Sequence, residues 1–302
     1  MSHVVSVIAA NAKAPLTTAH LDQVRRRLHQ IGATTGAEVW LSDSEAADLP
    51  VQGDPAAILD AARAALGGYP FDVNTLPTLN RRKRLLVADM DSTLIEQECI
   101  DELADELGLG EAVSAITAKA MRGEIDFEPA LVERVGLLSG LQIAAAERVL
   151  AERITLMPGA AALVATMRAA GAYTALVSGG FTVFAGPVAE RLGFHEHRAN
   201  RLHLENAVFQ GTVELPILGR KAKEDALTEL SSRLGLDTTE TLAVGDGAND
   251  LGMIQRAGLG VAYRAKPTLR VAADAIIDHG DLTALLFLQG YRRDDFAPEP
   301  RA

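Results

Sequence analysis

The chain has 302 residues, 48% of them apolar, enough for two ordinary domains or for one large domain with an insertion. Its 29 lysines and arginines face 40 acids, a formal charge of −11, which disfavours nucleic-acid backbones and anionic membranes as partners. One cysteine, Cys99, leaves no internal disulfide and no thiolate metal cluster; no apolar run reaches the roughly 18 residues of a membrane span, so the chain reads as a soluble, uncleaved, cytoplasmic protein.

Residues 4 to 10 predict a strand, and 17 to 30 place Leu21, Val24 and Leu28 at helical spacing before a stop at Gly32. A second strand is expected over 37 to 41 and a polar loop over 42 to 50. Asp54 then caps a helix over 55 to 66, closed by Gly67 and Gly68. Pro70, Pro77 and the basic run Arg81, Arg82, Lys83 and Arg84 read as a linker, the run being a solvated edge rather than a nucleic-acid patch. Residues 1 to 80 resemble, in degenerate form, a small α+β regulatory or docking module of the ACT kind. That resemblance leaves feedback by an amino acid, a homodimer through this domain and plain stabilisation all open.

Residues 85 to 88 are apolar and read as a buried parallel strand that stops in two acids, Asp89 and Asp91. Ligands of open parallel sheets sit beyond the carboxyl ends of the strands, and positions i and i+2 share a side, so both acids can face one ligand. An acidic turn capping the next helix through Ser92 or Thr93 explains the same residues equally well. From 96 to 151 the pattern is helical only (99 to 107, 111 to 121, 127 to 138, 144 to 154), with breaks at Gly108, Gly110, Gly123 and Gly140. This suits a small helical bundle inserted as a lid.

Alternation then resumes. A helix over 160 to 170 leads to a strand over 173 to 177 ending in Ser178, Gly179 and Gly180, followed by a helix to Leu192. A hairpin is expected about Glu205 and Asn206, then a helix over 223 to 234. A strand over 241 to 244 runs into Asp246, Asn249 and Asp250, followed by a helix over 251 to 257, a strand over 259 to 262 and the apolar pair Ile276 and Ile277. The expected fold class is α/β: a Rossmann-like, doubly wound parallel sheet over 81 to 302, a helical cap inserted at about 97 to 155, and a small α+β domain over 1 to 80.

Four separated pieces lie at strand ends or helix starts: Asp89 with Asp91, Ser178 to Gly180, Lys223, and Asp246 with Asn249 and Asp250. Together they resemble the signature motifs of the haloacid dehalogenase superfamily of phosphotransferases. The resemblance implies that Asp89 attacks phosphorus and becomes an aspartyl-phosphate, while Asp91 acts as general acid and then general base. Several carboxylates around a trianionic transition state need a hard cation, and oxygen-only ligands beside phosphate indicate Mg²⁺. The family places Asp89, the main-chain carbonyl of Asp91 and Asp246 on that ion, with Asp250 on a metal water and Asn249 in support. Ser178 and the Gly179 amide, with Gly180, receive phosphate oxygens, and Lys223 adds a point charge.

The segment from Asp89 to Glu102, which contains Glu98, and the segment that places Met121, Phe127 and Arg134 resemble phosphoserine phosphatases of that superfamily, as do residues 199 to 202 and 220 to 224. O-phospho-L-serine carries an ammonium and a carboxylate besides its phosphate. Glu98, Arg134, and the apolar pair Met121 and Phe127 complement these groups. Taken alone, Met121 and Phe127 are plain core and Arg134 is half of an exposed pair with Glu133. The rival readings are another small phosphomonoester, transfer to an acceptor alcohol, and a receiver-like signalling module phosphorylated on Asp. His195, His197 and His203 are assigned to a solvated hairpin and Cys99 to an inert buried thiol.

Overall fold

The structure is a computed structural model describing residues 1–10 and 14–298; the last four residues of the expected 81 to 302 unit lie outside the described residues. Its N-terminal unit runs β1 (His3–Ala9), α1 (Thr18–Gln30), β2 (Thr34–Thr35), β3 (Val39–Ser42), β4 (Ala46–Gln52), α2 (Pro55–Ala65) and β5 (Phe71–Pro77). The strands pair antiparallel in the order β2-β4-β1-β5, with β3 also on β4. Val5, Val7, Leu49, Val51 and Val73 point from one face into a core with Leu21, Val24 and Leu28 of α1 and Ile58, Ala61 and Ala62 of α2. Asp54 caps α2 as expected, its carboxylate accepting the Ala57 amide at 3.0 Å.

Two of these strands depart from expectation. β4 occupies much of the stretch read as a loop, and β5 fills the stretch between Pro70 and Pro77 that was read as a linker. Both carry Asp, Asn or Pro where strand periodicity calls for apolar residues. Those polar side chains face the second sheet and are satisfied there. Asn74 bonds both the amide and the carbonyl of Ile276, at 2.9 and 3.0 Å. Asp72 accepts the amides of Asp278, His279 and Gly280 at 2.8, 3.1 and 2.7 Å. The basic run is likewise not a solvated edge throughout. Arg81 grips Asp48 of β4 and the carbonyls of Phe287 and Leu288, and buried Lys83 donates to the Thr239 carbonyl at 2.6 Å; only Arg82 and Arg84 stay exposed.

The second unit begins with β6 (Leu85–Ala88) and continues through α3 (Cys99–Asp105), α4 (Gly110–Met121), α5 (Phe127–Gly136) and α6 (Ile143–Glu152), the helical insertion that was expected. Then follow α7 (Ala160–Ala169), β7 (Tyr173–Phe181), α8 (Thr182–Leu192), β8 (Glu196–Asn200), the hairpin of β9 (Leu202–Glu205) and β10 (Val208–Val213), and α9 (Arg220–Arg233). The chain closes with β11 (Thr241–Gly245), α10 (Leu251–Arg256), β12 (Leu259–Tyr263), α11 (Pro267–Arg270), β13 (Ala275–Ile277) and α12 (Ala284–Leu288).

Six of these strands form a parallel sheet in the order β13-β12-β11-β6-β7-β8. Leu86 and Ala88 of β6 pack on one face, Leu85 and Val87 on the other, so both faces are covered, as a parallel sheet requires. The chain leaves β6 outward through β7 and β8, then returns to β11 on the other side. The carboxyl end of β6 is therefore the switch point, where a crevice opens. Three details correct the sequence reading. β7 runs through Ser178, Gly179 and Gly180 to Phe181; His195 and His197 belong to the β8 region and only His203 to the hairpin; and the wholly buried α12, which was not expected, packs against β1.

Candidate active site

At the switch point the Asp89 amide continues the ladder, donating to the Val244 carbonyl at 3.0 Å, while its carboxylate accepts the Met90 amide at 2.8 Å. Lys223, fully buried on α9, places Nζ 2.6 Å from Asp89 Oδ1 and 2.6 Å from Asp250 Oδ1. The other oxygen of Asp250 accepts the amides of Asp246 and Gly247 at 3.2 and 3.1 Å, which closes the turn after β11. Asp89, Asp246 and Asp250, all buried, thus bring carboxylate oxygens within 4.8 Å of one another.

Lys223 pairs with two of these three carboxylates, Asp89 and Asp250, and leaves Asp246 without a direct cation, an imbalance the electrostatics record. Burial and then the Asp250 charge push Asp89 well above the usual carboxylate range, and the same two causes raise Asp246 to about 7. Burial works to lower Lys223, but Asp250 and Asp89 outweigh it and hold the ammonium above its ordinary range. Asn249 Oδ1 is buried with no protein partner. Excess negative charge, oxygen-only donors and an unpartnered carbonyl oxygen fit a hard divalent cation. The Asp91 carboxylate stands apart from this cluster.

Asp91 instead accepts the Cys99 amide at 3.0 Å, and its second oxygen faces Ser178 Oγ at 3.4 Å. Burial raises its pKa and the hydrogen bonds from Cys99 oppose the rise, so the acid is poised to carry a proton more readily than a solvated aspartate. Ser178 Oγ accepts the Gly180 amide at 2.8 Å. Glycine is required next to it: a Cβ on Gly180 would lie 2.6 Å from Asp91 Oδ2, and one on Gly179 would lie 2.6 Å from the ring of Phe127. Buried Asn200, to which the sequence reading gave no role, pins this stretch, donating to the Gly179 carbonyl at 2.9 Å and accepting the Leu218 amide at 2.7 Å. Asn200 lies in the 199 to 202 segment that carries part of the family resemblance, but the segment alone does not reveal the contact.

The helical insertion supplies the opposite wall. Glu98, just ahead of α3, accepts Ser92 Oγ at 2.7 Å, with Ser92 held in the left-handed region at φ 54. Burial and then Asp91 push its carboxyl well up. Arg134 on α5 is only 2% exposed, so the reading of it as half of a surface pair fails. Burial pulls its guanidinium below the ordinary value, with Asp101 the chief opposing charge. Cys99 is buried, and burial pushes its thiol well up, consistent with an inert side chain.

A small pocket unites the two halves. Nine of the thirteen residues singled out in the sequence line it: Asp89, Asp91, Glu98, Met121, Phe127, Arg134, Gly179, Gly180 and Asn249. Ser178, Lys223, Asp246 and Asp250 stand directly behind them through the contacts above. Ile100, Leu131 and Phe181, absent from the sequence reading, complete the apolar wall. An acid and a base around paired aspartates, beside a glycine backbone that leaves room for a ligand, suit a small zwitterionic monoester.

A parallel sheet with acids at its switch point and a helical cap over them defines a phosphotransferase-type hydrolase. The chain belongs to the haloacid dehalogenase-like hydrolases, whose family profile matches residues 86–255. Within that family it is similar to the phosphoserine phosphatase of Archaeoglobus fulgidus, 43% identical over 236 residues that cover 78% of this chain and 68% of that one. It spans 52% and 60% of the length of two other curated phosphoserine phosphatases, from Mycobacterium tuberculosis and Streptomyces coelicolor. Among solved structures, a HAD family hydrolase from Salmonella enterica serovar Typhi superposes with a TM-score of 0.81 at 28% identity, covering 95% of this chain and 98% of that one. No helix among the described residues is long and apolar enough to cross a membrane.

Proposed function

We propose that this protein is a Mg²⁺-dependent phosphoserine phosphatase that hydrolyses O-phospho-L-serine to L-serine and phosphate, the last step of serine biosynthesis. One observation carries the reading. Glu98 and Arg134, one acid and one base from the cap, line the same small cavity as Asp89, Asp91 and the Gly179–Gly180 backbone. The names of the relatives at about 40% identity support the same substrate.

Asp89 Oδ attacks phosphorus in line, forming an aspartyl-phosphate as the serine oxygen departs. Asp91 gives that oxygen its proton and, as a carboxylate, later takes one from the water that cleaves the acyl phosphate. Ser178 and the Gly179 amide hold phosphate oxygens, with Gly180 orienting the Ser178 hydroxyl, and Lys223 orients the nucleophile while offsetting its charge. Asp89, Asp246 and Asp250, with the main-chain carbonyl of Asp91 and with Asn249 in support, would hold Mg²⁺, which when bound neutralises charge building on the phosphoryl group. Glu98 meets the substrate ammonium, Arg134 its carboxylate, and Met121 with Phe127 exclude water.

We further assign residues 1 to 80 to an ACT-like regulatory or docking domain, a possible homodimer contact, and residues 81 to 302 to the catalytic unit with its cap at about 97 to 155. The cytoplasm is the proposed compartment. The test of function is a phosphomonoester panel, with Mg²⁺ and then with chelator, each with and without acceptor alcohols. Sustained, Mg²⁺-dependent turnover led by O-phospho-L-serine is expected. Faster turnover of a monoester lacking the amino-acid moiety, phosphoryl transfer to the alcohol, or a single turnover ending in a stable phosphoprotein would each replace this reading with a rival.

A further inference from the structure

Arg134 carries five N–H donors in a fixed planar fork. Nε donates to the Ala130 carbonyl of its own helix at 3.0 Å, and Nη1 donates to Thr117 Oγ1 at 2.8 Å. Among the described residues, Nη2 meets no acceptor and no carboxylate pairs directly with the guanidinium. A buried cation without a direct counterion is costly unless a negative charge reaches it another way. Here the charge arrives through a hydroxyl: Thr117 Oγ1 donates to Asp101 Oδ1 at 2.6 Å. Two acceptors lie within reach of the single hydroxyl proton, Asp101 Oδ1 at 2.6 Å and the Val113 carbonyl at 3.1 Å; the shorter, charge-assisted bond to the acid takes it, and a lone pair is left for the arginine. The three residues come from α5, α4 and α3 respectively.

We propose that Thr117 and Asp101 are positioning residues for the carboxylate-binding arm of the pocket, the Arg134–Thr117–Asp101 relay aiming the open edge of the guanidinium at the substrate carboxylate. The inference rests on the function proposed above and deepens it. A direct Asp101–Arg134 ion pair would occupy the fork and compete with the incoming carboxylate. Passing the charge through one hydroxyl keeps the cation compensated while leaving Nη2 and the second Nη1 hydrogen for the ligand. Thr117 is itself buried at 3% exposure, and its Oγ1 lies 3.1 Å from the Val113 carbonyl one turn back, which selects one of the two rotamers open to a helical threonine.

The experiment compares O-phospho-L-serine with O-phosphoethanolamine, which keeps phosphate and ammonium but lacks the carboxylate. In Thr117→Val the KM for phosphoserine is expected to rise about tenfold or more, the scale of one hydrogen bond to a charged group, with kcat little changed. The kcat/KM for phosphoethanolamine should stay within about twofold, and Thr117→Ser should restore phosphoserine binding. An unchanged phosphoserine KM in Thr117→Val, or equal losses on both substrates, overturns the relay. Should the valine variant fail to fold, Asp101→Asn decides: a KM rise confined to phosphoserine supports the relay, and none overturns it. Wild-type enzyme that does not prefer phosphoserine over phosphoethanolamine sinks the proposed function and the relay with it, whereas a preference undiminished in Thr117→Val sinks the relay alone.

Discussion

Asp89 and Asp91 stand two positions apart and meet opposite surroundings. Asp89 shares Lys223 with Asp250 in an acidic cluster, whereas Asp91 turns to a backbone amide and a serine hydroxyl. Two carboxylates with divergent environments can hold different protonation states, as an acid and a nucleophile must. Asp89→Asn is expected to reduce phosphoserine turnover by about a thousandfold or more with the melting curve intact; residual activity at the percent level, measured by phosphate release, would place the nucleophile elsewhere. Asp246 gives a second expectation at this scale. Its pKa is raised to about 7 by burial and then by Asp250, so the native state binds more protons than the unfolded chain. Metal-free stability therefore falls as pH rises from about 4 to about 7, and saturating Mg²⁺ should flatten that slope. Melting temperatures from pH 5 to 8, with and without the ion, test the sign.

At the scale of elements, β7 and the cap helices form the pocket from opposite sides. β7 carries Ser178, Gly179 and Gly180, and its end is anchored by Asn200 to Gly179 and Leu218. Asn200→Leu removes an acceptor and a donor at once and is expected to cost about 2–3 kcal/mol in chemical denaturation, with a higher KM for phosphate-bearing ligands as the loop loosens. Gly180→Ala places a methyl 2.6 Å from Asp91 Oδ2 and should lower kcat more than stability, because the atom displaced belongs to the acid. On the cap side, Arg134→Ala should impair phosphoserine turnover far more than that of an aryl phosphate; parallel losses in the two assays would remove Arg134 from recognition.

At the scale of the molecule, the N-terminal sheet is fastened to the parallel sheet by polar groups rather than by an apolar seam alone. Asp72 and Asn74 of β5 satisfy backbone groups of and beyond β13, and Arg81 joins Asp48 to the carbonyls of Phe287 and Leu288. Removing Arg81 strands a mostly buried aspartate, so Arg81→Ala should destabilise by about 3 kcal/mol; Asp48→Asn combined with it should recover part of that loss in a double-mutant cycle. Full additivity of the two changes would show that the pair is not coupled.

The sequence alone determined the parallel sheet, the helical insertion and the acids, glycines and lysine of the crevice, because strand ends, helix starts and glycine breaks are local events written in adjacent residues. It missed β4 and β5, since Asp48, Asp72 and Asn74 lie in strands where the local pattern calls for apolar residues, and their compensation comes from residues far along the chain. Only the tertiary structure decided that the basic run is a clasp, that Asp91 stands outside the acidic cluster, and that Thr117 and Asp101 stand behind Arg134. Each of those depends on which distant groups desolvate one another, and burial, unlike periodicity, is a property of the folded assembly.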